Sequence, residues 1–299
     1  MTFDPLPLSL APEAVPGHSE RLLRSHHSNN YGGAVKRLGA IRALLAKTAP
    51  SQMPPFELNG LKREELIATN SMLLHELYFD SISPDEQAME PAWKLALEAS
   101  FGTVERWRED FIACASALRG GSGWVLLSFL PRGGALVNRG ASDHAHAIAA
   151  ATPILALDMY EHAYHLDYGA DAGAYIEAFM KAIAWKAVYA RYQAAVHAAS
   201  EAFTCVNDQA TGAMLVDVRR AGVFEQASQT VRGASWRDPG KVSEWAHEFT
   251  GKPVVVYCVH GHEVSRATAM RLRALGADAK FLLGGFEGWK ASGLPTETK

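Results

Sequence analysis

The sequence predicts a mixed α+β and α/β chain: a largely helical first part, a short β-rich stretch, and a smaller α/β unit at the C-terminal end. Three observations predict it. Apolar residues recur at steps of three and four through most of the first 118 residues, a helical period. Between Trp124 and Leu157, short apolar runs are separated by a Gly-rich turn, as in a hairpin. Beyond about residue 208, β-branched runs alternate with helical patterns, as in a parallel sheet with crossover helices.

Taken in order, residues 1–18 are Pro-rich and read as extended. Ser19 to Lys47 is a helix on the spacing of Tyr31, Val35, Leu38, Ile41 and Leu45. Gly32-Gly33 costs about 1 kcal/mol per glycine relative to alanine, which predicts a kink or a close approach there. Pro50, Pro54 and Pro55 make a loop. A second helix follows from Lys62 to Asp80, with Ile67, Ser71, Leu74, His75 and Tyr78 on one face. After the loop opened by Ser83-Pro84, helices read from Ala88 to Ser100 and from Val104 to Leu118. Gly120-Gly121-Ser122-Gly123 breaks the pattern. Strands read from Trp124 to Leu130, Ala135 to Asn138 and Ile154 to Leu157. Helices follow from Tyr160 to Leu166 and from Ala172 to Ala199, and a domain boundary falls between Ala198 and Asp208. Strands then read at Met214 to Val218, Val254 to Val259 and Ala279 to Leu283, with a helix from Ala267 to Leu275 stopped by Gly276.

Composition narrows the function classes. Lys plus Arg number 29 and Asp plus Glu 32, a net charge of −3, so no basic excess points to nucleic acid. No stretch approaches the roughly 18 apolar residues of a membrane helix, and Met1 to Leu10 lacks a secretory pattern. The three cysteines Cys114, Cys205 and Cys258 form no disulfide framework, which reads as a reducing cytoplasm.

Two groups of residues carry chemistry. His26 and His75 lie on different helices, and Asp158 precedes His162 by four residues, a spacing that meets on one face if the segment is helical. Three imidazoles and one carboxylate suit iron or manganese. Spacing alone leaves His27 as an alternative to His26. In the second part, Val254 to Tyr257 delivers Cys258 to the loop Val259-His260-Gly261-His262-Glu263-Val264 ahead of a helix, where inward amides favour a thiolate. Cys114 and Cys205 read as inert.

Residues 19–197 resemble the iron/manganese superoxide dismutases. The resemblance is carried by Ser19 to Ser28, by Gly121-Ser122-Gly123-Trp124, by His75 with Tyr78 and Phe79, and above all by Asp158-Met159-Tyr160-Glu161-His162-Ala163-Tyr164. The run around His26 and His27 is similar to a divergent branch associated with chromate resistance. The resemblance implies a helical hairpin over residues 1–88, then an α/β domain with a three-stranded antiparallel sheet over 89–200. It implies His26, His75, Asp158 and His162 as ligands of one Fe or Mn per subunit, superoxide as substrate, and a homodimer or homotetramer in which Glu161 reaches the partner's His162. The sequence departs from the family around those ligands. Ala34 stands where the family has Tyr, Asn30 where it has His, and Tyr160 where it has Trp. His165 stands where a Tyr pairs with the partner's His. The amide that donates to solvent at the metal is missing from both its places, Ser71 and about Val137. Tyr31, Tyr160 and His144 are the candidate replacements, with His144 expected to supply the hydrogen bond.

Residues from about 208 onward resemble the rhodanese family in Leu215-Val216-Asp217-Val218-Arg219, Val231-Arg232-Gly233-Ala234, Val256-Tyr257-Cys258 and Leu283 to Trp289. That resemblance implies a doubly wound, five-stranded parallel sheet over residues 201–299, a persulfide on Cys258, and Asp217 with Arg219 bracing the fold. The usual loop is Cys-x-x-Gly-x-Arg-Ser; here Glu263 and Val264 take the Arg and Ser places. A carboxylate facing the thiol would repel thiosulfate and disfavour the thiolate. The expectation is a superoxide dismutase fused to a sulfur-handling domain with a sulfur donor or acceptor of its own. The alternatives are a sulfurtransferase on a metal-binding dimerisation scaffold, and a redox or metal sensor that switches through Cys258.

Overall fold

The computed structural model describes residues 4–210 and 212–299. Ser19 starts the first helix by accepting a hydrogen bond from Leu22 N, and α1 (Glu20–Ser25) runs through a π-helical segment, His26–Tyr31, into α2 (Gly32–Lys47). The expected irregularity is present but displaced. The wide π turn precedes the glycines, and a Cβ built on Gly33 meets nothing within 4 Å. Gly32-Gly33 therefore makes neither a kink nor a close approach. α3 (Pro55–Phe79) begins well before the expected Lys62, because Pro55 sits in the first turn, where its missing N–H costs nothing. α2 and α3 pack together as the helical hairpin. Pro91 opens α4 (Pro91–Phe101) in the same way, and Thr103 caps α5 (Val104–Ser116).

Gly123 enters the sheet with φ of +145°, and a Cβ there would lie 2.2 Å from Ala141 O, so only glycine fits. β1 (Trp124–Leu130), β2 (Ala135–Ala141) and β3 (Thr152–Asp158) form an antiparallel sheet in the order β2-β1-β3. The helix expected over Tyr160 to Leu166 is instead a 3-10 turn, Glu161–Ala163, and the single turn α6 (His165–Tyr168). The single helix expected over Ala172 to Ala199 is two, α7 (Ala172–Ala182) and α8 (Trp185–Ser200). It breaks because Ile183 leaves the helix to bridge Ile82, with Ser83 N donating to Ala182 O and Ala184 N to Ser81 O, each at 2.8 Å.

The expected linker is structured. A 3-10 turn, Glu201–Phe203, leads from α8 directly into β4 (Thr204–Cys205), so Cys205 is a buried strand residue. Then come β5 (Met214–Asp217), α9 (Ala221–Gln226), β6 (Gln229–Val231), β7 (Ser235–Trp236), α10 (Val242–Trp245) and β8 (Pro253–Tyr257). α11 (Glu263–Ala274), β9 (Asp278–Leu282), α12 (Gly285–Ala291) and β10 (Thr296–Thr298) complete the chain. α11 starts at Glu263, a turn earlier than Ala267. Five strands pair in parallel in the order β4-β9-β8-β5-β7, while β6 and β10 form a separate antiparallel ladder. Alternate residues of β8 feed opposite cores: Val254 and Val256 join Phe249, Leu272 and Phe281, whereas Val255 and Tyr257 join Leu282, Phe286 and Trp289. Both faces are therefore covered, as a doubly wound sheet requires.

α11 joins the two parts. Ala267 and Met270 belong to the core of the first part. The half-buried Arg271 donates to Ala99 O at 2.8 Å, Ser100 Oγ at 2.9 Å and Gly134 O at 3.0 Å. No helix among the described residues is long and apolar enough to cross a membrane.

Candidate metal centre and cysteine pocket

His26 lies at the end of α1, His75 in the last turns of α3, Asp158 at the end of β3 and His162 in the turn after it. Their ligand atoms all lie within 4.8 Å of one another. Asp158 Oδ2 stands 3.0 Å from His26 Nε2, 3.1 Å from His162 Nε2 and 3.6 Å from His75 Nε2. Three imidazole nitrogens and a carboxylate oxygen converging in this way are donors that one iron or manganese ion would accept. Asp158 and His162 meet although their segment is not helical, because the 3-10 turn folds the chain back on the strand end.

Neighbouring groups orient two of the four donors, His75 and Asp158. His75 Nδ1 donates to Ser71 O at 2.6 Å, which leaves Nε2 with its lone pair in the cluster; that atom is buried with no hydrogen-bond partner among the described residues. Asp158 Oδ1 accepts from Tyr160 N at 2.8 Å, and its carbonyl accepts from Tyr175 OH at 2.8 Å. Burial pushes the pKa of His75 down to about 3 and lowers that of His26. Burial alone would raise the Asp158 carboxyl, but the hydrogen bonds with His162 and His26 outweigh it and hold it far below the usual carboxylate range. Burial thus favours the neutral imidazole at His26 and His75 beside a carboxylate at Asp158, the forms a metal cation needs.

The other histidine and tyrosine expectations divide. His27 is outside the cluster, with Nε2 bonded to Leu6 O at 2.9 Å. Tyr31 is corrected: its hydroxyl accepts from Leu6 N and donates to Glu76, lining a different cavity beside the N-terminal segment. Val137 pairs with Ser128 inside the β1/β2 ladder, and the segment that reaches the site after the hairpin is the loop carrying His144. His144 Nδ1 accepts from Trp124 Nε1 at 2.8 Å; indole is only a donor, so the proton of neutral His144 is on Nε2. Burial lowers the His144 pKa and so favours that neutral form. Tyr160 stacks between His144 (4.8 Å, 9°) and His162 (5.4 Å, 12°), and burial pushes its pKa up to about 12. These three rings line a cavity of about 330 Å³ with Ala34, Ser71 and Arg37. Arg37 and the trapping of His144 by Trp124 are features the sequence reading missed; the Gly-Ser-Gly-Trp motif marked Trp124 without showing its partner. Glu161 and His165 are exposed on the same turn.

Asp217 and Arg219 form the expected brace. Arg219 Nε lies 3.0 and 2.9 Å from the two carboxylate oxygens, and Tyr257 OH and Thr230 Oγ1 also bond the buried Asp217. Cys258 is buried at the end of β8, with Sγ 3.2 Å from Ser265 Oγ. Its loop rests on α12: Cys258 O accepts from Phe286 N at 2.9 Å and Val259 O from Glu287 N at 3.0 Å. Gly261 has φ of +72°, and a Cβ there would lie 2.6 Å from Leu282 O. His260 and His262 are exposed, and Val264 is half-buried. Glu263 departs from expectation. Its buried carboxylate accepts from Tyr189 OH at 2.6 Å and from Gln193 Nε2 at 3.2 Å, both on α8.

Comparison with known proteins places these features. Residues 89–191 match the family model of the C-terminal domain of iron/manganese superoxide dismutases, and residues 204–292 match that of the rhodanese-like domain. The chain is 58% identical to a "Superoxide dismutase [Fe]" of Cupriavidus metallidurans, over 66% of this chain and 99% of that protein. It is 33% identical to "Superoxide dismutase [Mn] 1" of Halobacterium salinarum, over 63% of this chain and 94% of that one. It is 31% identical to a "Superoxide dismutase [Fe]" of Aquifex pyrophilus, over 63% and 91%. The chain belongs to the iron/manganese superoxide dismutase family and carries a rhodanese-like domain behind the dismutase part.

Proposed function

We propose that this protein is a superoxide dismutase with a sulfur-handling domain attached. The observation that carries the reading is the cluster of three imidazole nitrogens and Asp158 Oδ2 within 4.8 Å, in a chain 58% identical to an iron superoxide dismutase. His26, His75, Asp158 and His162 would hold one iron or manganese per subunit. That metal would supply a one-electron couple, by which one superoxide would be oxidised to oxygen and a second reduced, with two protons, to hydrogen peroxide.

The residues around it bind, orient and deliver protons. Ser71 O and Tyr160 N orient His75 and Asp158. His144 presents its Nε2–H at the cavity, in place of the amide the family uses, and Tyr160 holds its ring flat. Arg37 lies on the cavity wall with its guanidinium paired to Glu64. Ala34 in the Tyr place widens the approach. Glu161, exposed beside His162, would reach the partner's His162 across a dimer, with His165 at the same surface. The parts divide at residues 1–88, 89–200 and 201–299, and the protein works in the cytoplasm, where Cys258 stays reduced. A cavity over Cys258 supports a persulfide there, exchanged with a sulfur donor or acceptor. The test is metal content with superoxide consumption: one iron or manganese per chain in the parent, and loss of both in His162→Ala. A His162→Ala protein with full metal and full consumption overturns the assignment.

A further inference from the structure

The cavity over Cys258, about 360 Å³, has walls from both parts of the chain: Cys258, Arg220, His260 and His262 on one side, Tyr189 and Gln193 of α8 on the other. Arg266 of α11, the cation that faces the thiol from its own loop, is committed to Gly261 O at 2.9 Å and Ser200 Oγ at 3.2 Å. Glu263 fills the place of the usual loop arginine, and both its oxygens are held by Tyr189 and Gln193. A buried carboxylate needs such partners to offset lost hydration. Arg219 is paired with Asp217 and lies 4.5 Å from the Phe286 ring centroid. Glu90 is at the exposed rim. Arg220 is different. It is half-buried on the cavity wall, and its guanidinium makes no hydrogen bond or ion pair among the described residues. The amides of Val259, His260, Gly261 and His262 likewise have no acceptor among them.

We propose that Arg220 is the anion-recognising residue of the Cys258 pocket, and that α8 of the dismutase part completes the pocket by engaging the Glu263 carboxylate on its wall through Tyr189 and Gln193. The ligand class is a small oxyanion placed beside the thiol. This rests on the reading of Cys258 as a reactive thiol. It adds that the cation comes from the β5–α9 junction and that the site spans two domains. Guanidinium–oxyanion bonds are charge-assisted and bidentate, so one arginine suffices for a marked preference.

The test uses the full-length protein and compares alkylation of Cys258 by iodoacetate, an anion, and by iodoacetamide, its neutral counterpart, read peptide by peptide by mass spectrometry. In Arg220→Gln the iodoacetate-to-iodoacetamide rate ratio is expected to fall about tenfold, with the iodoacetamide rate unchanged within about twofold. In Tyr189→Phe/Gln193→Leu the ratio is expected to fall with Arg220 intact, and adding Glu263→Gln restores it. An unchanged ratio in Arg220→Gln overturns the proposal. If Cys258 reacts with neither reagent, thiosulfate binding to Cys258→Ser protein by calorimetry decides. At least tenfold weaker binding on adding Arg220→Gln supports the proposal, and equal or undetectable binding in both overturns it. Thiosulfate incubation of the parent protein, read as a persulfide mass on Cys258, tests the sulfur reading separately. A missing persulfide beside an Arg220-dependent ratio removes sulfur transfer and keeps the anion pocket.

Discussion

His144 is the residue proposed to take over the hydrogen bond that the family's amide makes at the metal. Trp124 fixes its tautomer and Tyr160 fixes its plane, so a single N–H is aimed with little freedom. His144→Ala is expected to lower superoxide turnover by roughly 10- to 100-fold and to shift its pH profile, while metal content stays at one per chain. His144→Gln is expected to recover part of the loss. Unchanged rate and profile in the alanine variant would remove His144 from the mechanism. His75 gives a prediction with a sign. Folded, it stays neutral down to about pH 3; unfolded, it takes a proton near 6.5, so the unfolded chain binds more protons between those values. Metal-free protein is therefore expected to lose stability as pH falls from about 6.5 toward 3, by up to about 1.4 kcal/mol per unit from this residue, and to be insensitive to it above 6.5. Urea unfolding at pH 7.5, 5.5 and 4.5 checks it, with His75→Gln lacking that slope. The four candidate ligands were legible in sequence because family motifs fix their spacing. The surroundings of Tyr31 are not legible in sequence, because its position in the chain says nothing about its hydroxyl, which bonds Leu6 and Glu76.

At the scale of elements, most helices and strands were legible from periodicity, and the errors have local causes. Pro55 and Pro91 read as loop residues but begin helices, since proline fits the first turn. Ile183 interrupts a continuous helical pattern because a distant partner, Ile82, pairs with it. The contact between parts was illegible for the same reason: nothing near Glu263 in sequence identifies Tyr189 and Gln193. α11 is the element that contact depends on. Arg271→Ala would leave Ala99 O, Gly134 O and Ser100 Oγ without their donor in a partly buried junction, and is expected to destabilise the protein by roughly 1–3 kcal/mol. Chemical denaturation measures this directly; a loss under 0.5 kcal/mol would mean that α11 is not a structural joint.

For the whole molecule, two chemistries occupy separate places. The metal cluster is enclosed by the hairpin helices and the end of β3, and Cys258 lies beyond α8 at the end of β8. Neither cavity shares a residue with the other. Cys258→Ser is accordingly expected to keep superoxide turnover within about twofold of the parent and to lose any persulfide. A large fall in turnover would show that the two sites are coupled. The central claim, that this altered surrounding still supports dismutation, is tested most directly by superoxide turnover per bound metal atom on the full-length protein. The account predicts kcat/KM near the diffusion ceiling of about 10⁸–10⁹ M⁻¹s⁻¹, where superoxide dismutases as a class operate. One metal per chain with negligible turnover would contradict it.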